Sequence, residues 1–256
     1  MGRVSHPDFQ DGAPPVGPSA ITAKGESVTP LGKKPYVQPR ALAADELAGI
    51  VADYASAAKR AIAAGFDGVE IHGANGYLVD QFLRDGSNQR DDDYGGSIAN
   101  RWRFPLAVVR AVADAVGAER TAIRISPTNP YNDMRDGDPI ATFRYGAEQL
   151  AALGIWYLHV VEFVADHPMA AEPRVLPHLR AAFAGPILLN GGHDLASATA
   201  VLAEGQADAI TFGSKFLANP DLPERLRRGA ELQPPRYETF YTPGPAGYLD
   251  YPALAG

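Results

Sequence analysis

The sequence contains no cysteine in its 256 residues, which excludes disulfide bridges, catalytic thiolates and cysteine-ligated metals. It also has no excess of basic side chains, because 23 lysines and arginines stand against 30 aspartates and glutamates and give a net charge of −7. An acidic chain without a basic patch argues against nucleic acid or an anionic membrane as a partner. Long apolar runs are absent and the first residues are polar, so we expect a cytoplasmic protein without a membrane span.

Two nucleotide-binding signatures are missing as well. The sequence has neither a GxGxxG fingerprint nor a Walker pattern, so Rossmann and P-loop sites gain no support. What is present is the composition of a globular protein, with 46% hydrophobic and 21% charged residues. At this length the chain can form one large α/β domain or two small ones.

Regular structure is expected to begin near residue 44, because residues 1–43 are rich in proline and cannot hold a long helix. Apolar runs then predict strands at Val69–His72, Ala122–Ser126, Tyr157–Val161, Ile187–Asn190 and Ala209–Phe212. Helical spacing predicts a first helix from Asp45, as its N-cap, to Gly65. A second helix is expected from Ile98, and Pro105 should start or kink its main body. Further helices are predicted from Asp138-Pro139 to Gly154, over Pro173–Phe183, over Asp194–Glu204 and from Asn219-Pro220 to Arg228. A long loop is expected from Arg84 to Gly96 and a short turn after Gly213.

Strands that alternate with helices indicate a parallel sheet, and short apolar strands fit a sheet covered on both faces. The strand count conflicts with the length, since a (β/α)8 barrel has eight strands in roughly 250 residues and only five are predicted here. Two architectures remain open on this count. One is an open five-stranded doubly wound sheet. The other is a barrel that lacks its first three units, which together would have about 90 residues.

The stretch VEIHGANGYLVDQF at 69–82 carries the most chemistry. A short β-branched strand ends at His72, and Asn75 and Tyr77 follow closely. An α/β barrel builds its site in this way, by delivering side chains to the carboxyl ends of buried strands. An imidazole, an amide and a phenol can hydrogen-bond a substrate oxygen and supply a proton. Two of these residues also have a structural alternative. His72 could be a hydrogen-bonded histidine of the fold, and Tyr77 could be an aromatic side chain packed under the turn.

Six segments together resemble the Old Yellow Enzyme family, the FMN-dependent NAD(P)H:alkene reductases. They are GRVSHPDF with PSAI at 2–9 and 18–21, GFDGVEIHGANGYLVDQFL at 65–83, SNQRDDDYGGSIANRWRF at 87–104, AIRISP at 122–127, FGSKFLANPDLPERL at 212–226 and FYTPGPAGYLDYP at 240–252. The resemblance covers almost the whole chain and implies a TIM barrel lacking its first three strands, with strands four to eight and their helices present. We therefore expect an N-terminally truncated member, forming one incomplete barrel domain over 1–256: a loop or hairpin segment over 1–43, five βα units over 44–230 and a tail over 231–256.

The resemblance implies an enzyme that uses NAD(P)H and FMN to reduce a carbon–carbon double bond conjugated to a carbonyl or nitro group. His72 and Asn75 match the family's donors to the activating oxygen of this electron-poor alkene. Tyr77 matches its proton donor, and Tyr241 matches a tail tyrosine that lines the substrate pocket.

The cofactor contacts implied by the resemblance are Arg124, Gly191, Gly192, Gly213, Ser214 and Lys215. Arg124 matches an arginine that faces the flavin pyrimidine, and the glycines match phosphate-binding loops. The family usually has arginine where this chain has Ser214, followed here by Lys215, which exchanges a bidentate fork for a point charge. This departure predicts weaker FMN retention than in a typical member, and His193 stands where an aromatic residue is common.

Two alternatives of a different class remain. One is a catalytically incomplete fragment or partner subunit of such an enzyme, which would need a complementing chain or a homo-oligomer. The other is a different phosphate-binding barrel that shares only the fold; aldolase chemistry there would need an inner-strand lysine, and the five strands have none. His159, Glu162 and His167 suggest a metal cluster by composition, but they lie on a strand and the following loop and point in different directions. We expect no metal there.

Overall fold

The computed structural model describes residues 1–254 and has a parallel sheet at its centre. Its strands are β1 (Val16–Gly17), β2 (Glu26–Thr29), β3 (Gly32–Pro35), β4 (Arg40–Ala41), β5 (Val69–Gly73), β6 (Thr121–Ile125), β7 (Leu158–Val161), β8 (Ile187–Asn190) and β9 (Ala209–Ile210). Its helices are α1 (Glu46–Ala63), α2 (Leu78–Leu83), α3 (Ile98–Val116), α4 (Pro139–Leu153), α5 (Leu176–Ala182), α6 (Leu195–Ala203), α7 (Ser214–Ala218) and α8 (Leu222–Arg228).

The five strands β5 to β9 lie side by side in chain order, and every neighbouring pair is parallel. A doubly wound sheet reverses its strand order at a switch point, whereas a barrel adds each new strand beside the last one. Among the described residues β5 and β9 pair on one side only, so the sheet is open. Helices α1, α3, α4 and α5 contact one another in succession. This topology is that of five consecutive barrel units.

The segment before α1 forms two small sheets. The strands β2 and β3 form an antiparallel hairpin, and β1 pairs in parallel with β4. The predicted absence of a long helix in residues 1–43 is confirmed.

The core lies between the outer face of the sheet and the helices. Alternate strand residues such as Ile123, Ile125 and Leu158 are fully buried against the aromatic side chains of α3. Trp102 of α3 lies directly over Gly146 of α4, where a methyl group would meet the indole ring, and its Nε1 donates to the Thr142 carbonyl at 2.8 Å. Glycine at this crossing therefore lets the two helices approach.

Local capping explains where the long helices begin. The Ser97 hydroxyl accepts from the Asn100 amide at the start of α3, and the Asp138 carboxylate accepts from Ala141 before Pro139 opens α4. Asp194 and Ser197 form a reciprocal capping box on α6. The predicted starts of α4 and α6 are confirmed.

The predicted start of α1 is confirmed, because Asp45 is its N-cap residue, but the Asp45 side chain does not cap the helix. The Glu46 carboxylate instead accepts from the Ala43 amide at 2.8 Å and pairs with Arg40. Pro105 does not start the main body of α3, because the Ser97 cap starts the helix a full two turns earlier.

Two short helices are missing from the sequence prediction. The helix α2 lies directly after Tyr77, and α7 replaces the predicted turn after Gly213, so that α8 begins at Leu222 rather than at Asn219-Pro220. The strand Ile187–Asn190 has the predicted bounds, and the other bounds match the prediction or differ from it by at most three residues. No helix among residues 1–254 is long and apolar enough to cross a bilayer.

Candidate active site

The face of the sheet opposite the helices carries polar side chains. Because strand side chains alternate, Glu70 and His72 of β5 point away from the helical core, as do Arg124 of β6 and Asn190 of β8. In the register of the sheet, His72 lies opposite Arg124, and Arg124 lies opposite His159. The carboxyl edge of this inner face is therefore a continuous polar surface.

A hydrogen-bonded chain crosses the lower part of this face. His159 Nδ1 lies 2.9 Å from Glu70 Oε2, and its Nε2 lies 3.0 Å from Thr211 Oγ1. Burial, the largest influence, opposes ionisation of Glu70, but His159, Tyr157 and the Arg124 charge together leave the pKa of this carboxyl below its usual value. Burial, with the adjacent Glu70 charge, raises the pKa of Tyr157 to about 12. These contacts tie β5 to β7 and β9.

Arg124 crosses the inner face in the middle of the sheet. Its Nη2 donates to Asn190 Oδ1 at 3.2 Å, while its buried Nε has no partner among the described residues. Burial lowers the pKa of this guanidinium, and the Glu70 charge partly restores it. A buried N–H without an acceptor is destabilising, so Arg124 has a donor that a ligand can satisfy.

The turn between β5 and α2 brings two of the three predicted catalytic side chains together. The rings of His72 and Tyr77 lie 5.1 Å apart at an angle of 51°. Burial and the nearby Arg124 charge lower the pKa of His72, so its imidazole is neutral at pH 7. Burial, followed by Tyr131 and Tyr241, raises the pKa of Tyr77, so its phenol stays protonated.

The third residue, Asn75, lies between them in the sequence and has a left-handed backbone conformation, with φ 57°. Its backbone amide donates to Ser126 Oγ at 2.7 Å, and its carbonyl accepts from Asn132 Nδ2 at 2.8 Å. Its side-chain Oδ1 accepts from Asn129 Nδ2 at 2.9 Å. Because the oxygen is engaged, the amide NH2 of Asn75 is left as the donor of this side chain.

A buried ion pair holds the turn from below. Asp80 of α2 and Arg84, which directly follows this helix, are almost completely buried, and Asp80 Oδ1 lies 2.9 Å from Arg84 Nε. Asp80 Oδ2 accepts from the Gly76 amide at 2.8 Å, and Arg84 donates to the Ser126 carbonyl. The backbone of the turn is thereby fixed to the end of β6.

Sequence reasoning missed these supporting residues. The segment SPTNPYND, which follows β6, contains Ser126, Asn129 and Asn132. Asp80 lies on the unpredicted helix α2, and Arg84 directly follows this helix. The available signal was a cluster of short polar residues directly after a strand, which is where a barrel places its site.

The predicted phosphate-binding glycines border a pocket of about 190 Å³ at the ends of β7, β8 and β9. Its lining residues are Phe163, His167, Asn190, Gly192, His193, Thr211, Phe212, Gly213, Ser214 and Lys215. Gly191 adopts φ 153°, and a methyl group there would collide with the Glu162 carbonyl. Lys215 does turn toward the pocket wall, where its Nζ donates to the His193 carbonyl at 2.5 Å.

The remaining predicted residues have simpler surroundings. Tyr241 is 96% exposed and packs edge-on against the half-buried Phe240, so in this structure it is not enclosed by a pocket. Glu162 accepts from the Val175 amide and pairs with Arg174, and His167 stacks on Phe163. Within residues 1–254 no three candidate metal ligands come together.

Comparisons with known proteins identify the family of the chain. The model of the NADH:flavin oxidoreductase / NADH oxidase family matches residues 1–233. A probable flavin mononucleotide-dependent alkene reductase of Leishmania infantum is 46% identical over 99% of this chain and 70% of its own length.

Two solved structures extend the comparison to the fold. The old yellow enzyme homologue from Zymomonas mobilis is 43% identical, with a TM-score of 0.96 over 99% of this chain and 72% of that one. Morphinone reductase in complex with tetrahydroNAD is 46% identical, with a TM-score of 0.92 over 99% and 70% of the two chains. The predicted resemblance and the incomplete barrel are both confirmed, and the chain belongs to the NADH:flavin oxidoreductase / NADH oxidase family, with the fold of the Old Yellow Enzyme homologues.

Proposed function

We propose that this chain is an FMN-dependent oxidoreductase that uses NAD(P)H to reduce carbon–carbon double bonds activated by a carbonyl or nitro group. One observation carries the proposal: the His72 and Tyr77 rings lie together at the end of β5, with Arg124 opposite His72 on β6 and Asn75 in the same turn. A relative named as an FMN-dependent alkene reductase supports the same chemistry.

Two features of the inner face fit a flavin nucleotide. The unpaired Nε of Arg124 suits the pyrimidine edge of a ring that becomes anionic on reduction. The glycine-bordered pocket with Ser214 and Lys215 suits a phosphate, because glycine lets backbone N–H groups approach closely. When bound, FMN supplies the redox chemistry, passing electrons from NAD(P)H to the β-carbon of the alkene.

The donors at the end of β5 stabilise charge on the activating oxygen of the substrate. The neutral His72 imidazole offers one N–H, and the Asn75 amide, oriented by Asn129, offers another. Donors that are already fixed need no reorganisation when negative charge develops, and each is worth about 10²–10³ in rate.

Tyr77 supplies the proton to the α-carbon. Its raised pKa keeps the phenol protonated at neutral pH, and its proximity to His72 puts it next to the oxygen-binding donors. General acid catalysis of this kind contributes typically about 10²–10⁴ in rate. Tyr241 contributes to the raised pKa of Tyr77, and it stays a predicted substrate contact.

The visible spectrum of the purified chain tests the proposal. We expect a yellow protein that NAD(P)H bleaches under anaerobic conditions and that cyclohexenone restores. A protein that neither carries nor takes up FMN would contradict the proposal, and so would a reduced flavin that cyclohexenone does not reoxidise.

Assembly and localisation are further proposals. The single-sided pairing of β5 and β9 in the described chain supports a homo-oligomer or a complementing chain, which light scattering of the purified protein tests. The cysteine-free composition is compatible with the cytoplasmic residence expected from the sequence, which cell fractionation tests.

A further inference from the structure

The pocket at the ends of β7, β8 and β9 combines several basic side chains. Its lining includes two histidines and one lysine, and no arginine among the described residues. His167 follows β7, His193 follows β8 and Lys215 follows β9, so each of the three strands contributes one basic side chain.

His167 presents a defined N–H to the glycine loop. Its Nδ1 accepts from the Met169 amide at 3.1 Å, so the proton of the neutral ring is on Nε2. Its ring stacks on Phe163, with centroids 4.3 Å apart at 16°. A methyl group on Gly192 would lie 2.8 Å from His167 Cδ2 and 3.6 Å from Nε2, so the donor edge of the ring lies over this glycine.

His193 is the second unusual group. Its side chain lines the pocket and the residue is only 3% exposed, yet neither ring nitrogen has a hydrogen-bond partner in the described structure. Buried polar groups are nearly always paired, so an unpaired imidazole on a pocket wall indicates a missing acceptor. Lys215 is tied to the same loop through the His193 carbonyl.

We propose that the titratable imidazole of His193, together with the Nε2–H of His167 and with Lys215, binds the phosphate of FMN, so that FMN affinity falls as the pH rises above neutrality. The identity of the ligand rests on the function proposed above. A permanently charged arginine would instead hold a phosphate with the same strength at every pH in this range.

The charges around the pocket determine the direction of the effect. Burial, then Arg174 and Lys215, lower the pKa of His193, while the adjacent Asp194 raises it, so this imidazole is neutral at pH 7 without an anion. Asp166 is the ionisable chain neighbour of His167, and it is exposed. A phosphate dianion favours the protonated imidazole, so binding takes up a proton and weakens as the pH rises.

The phosphate itself does not mask this effect. Its second pKa is about 6, so it is almost entirely a dianion above pH 7. Each imidazole that takes up a proton on binding weakens the affinity by up to about tenfold per pH unit above the pKa of the free ring.

The dissociation constants of FMN and riboflavin, measured by flavin fluorescence between pH 6.5 and 8.5, test the proposal. We expect the FMN constant to rise about tenfold or more from pH 7 to 8.5, while that of riboflavin, which lacks the phosphate, stays level. His193→Gln keeps a hydrogen-bond donor but cannot titrate, so it should flatten the FMN profile. His167→Gln exchanges one N–H donor for another and should leave the slope of the profile in place. His178→Gln is the control, because His178 is exposed on α5 away from the pocket.

An FMN to riboflavin ratio that is constant with pH would overturn the proposal, as would a profile that His193→Gln leaves unchanged. If neither flavin binds, the proposed function fails instead. Inorganic phosphate titrated over the same pH range then decides the role of the histidines: pH-dependent binding supports it, and level or absent binding overturns it.

Discussion

The two ends of the carboxyl edge of the sheet are built differently. At the β5–β6 end, Asp80 and Arg84 are almost completely buried and hydrogen-bonded to each other and to the turn that carries Asn75. At the β7–β9 end, the buried His193 ring has no partner within residues 1–254, and Lys215 donates only to a backbone carbonyl. The first end thus has a buried ion pair that fixes its turn, whereas the second keeps a buried ring that needs a ligand.

This difference separates two tasks. Catalytic donors act best when they are fixed before the substrate arrives, because no reorganisation is then needed as charge develops. A cofactor-binding end instead gains affinity from each group that the ligand satisfies. Perturbing the first end should therefore affect folding and rate, and perturbing the second should affect FMN affinity.

The largest effect is expected for Asp80→Asn. The change keeps the size of the side chain but leaves the buried Arg84 charge without a counter-charge, which should lower the free energy of unfolding by about 3–5 kcal/mol. Urea denaturation followed by circular dichroism measures it. The control Glu148→Gln breaks the exposed pair with Arg144 and should change stability by less than about 0.5 kcal/mol. Similar losses in both variants would remove the contrast between the two ends.

The second effect concerns the rate. Asn75→Asp keeps the acceptor for Asn129 and a side chain that tolerates φ 57°, but it removes the amide donor and adds a negative charge. We expect alkene reduction at saturating FMN to slow by at least about 10²–10³, since one oxygen-binding donor is lost. The FMN dissociation constant should stay nearly the same. A large loss of FMN affinity with an unchanged rate would contradict the role of Asn75 as a donor to the substrate oxygen.

The third effect acts on the other end. Ser214→Arg adds a permanent cation to the phosphate pocket and should tighten FMN binding by about tenfold or more, because a charged hydrogen bond is worth about 1.5–3 kcal/mol. Equilibrium titration of the apoprotein measures it. Ala52→Arg adds the same charge to the exposed surface of α1 and serves as the control. If Ser214→Arg brings no gain in affinity, the predicted deficit in FMN retention is wrong.

The smallest effect is an expected constancy. The pKa of Tyr77 lies above its usual value of 10, so the phenol keeps its proton until the pH exceeds that value. The rate of substrate reduction at saturating FMN should therefore be level from pH 7 to 9.5, while FMN affinity falls in the same interval. Rapid-mixing kinetics across this range compare the two, and a loss of rate centred below pH 9 would contradict the assignment.

The sequence predicted the parts of the site that depend on local order. The end of one strand carries all three predicted catalytic residues within six positions: His72 lies on β5, and Asn75 and Tyr77 follow it. The strand end alone therefore brings them to the same edge of the sheet. The fold was accessible for the same reason, since alternating strands and helices specify a parallel sheet. The choice between the two architectures needed the family resemblance.

The supporting contacts could not be predicted in this way. Asn132 meets the Asn75 carbonyl across 57 positions of sequence, and Ser126 reaches the same turn from the neighbouring strand. Such contacts depend on how two loops fold back over the sheet edge. The helix α7 has only five residues, too few to show a helical period.

The most direct test of the central claim compares the two half-reactions of Tyr77→Phe and Tyr131→Phe in an anaerobic stopped-flow instrument. The account predicts that both variants are reduced by NAD(P)H at the native rate. It further predicts that Tyr77→Phe alone is reoxidised by cyclohexenone about 10²–10⁴ times more slowly, because its α-carbon proton donor is missing. Native reoxidation rates in Tyr77→Phe, or equal losses in both variants, would contradict the account.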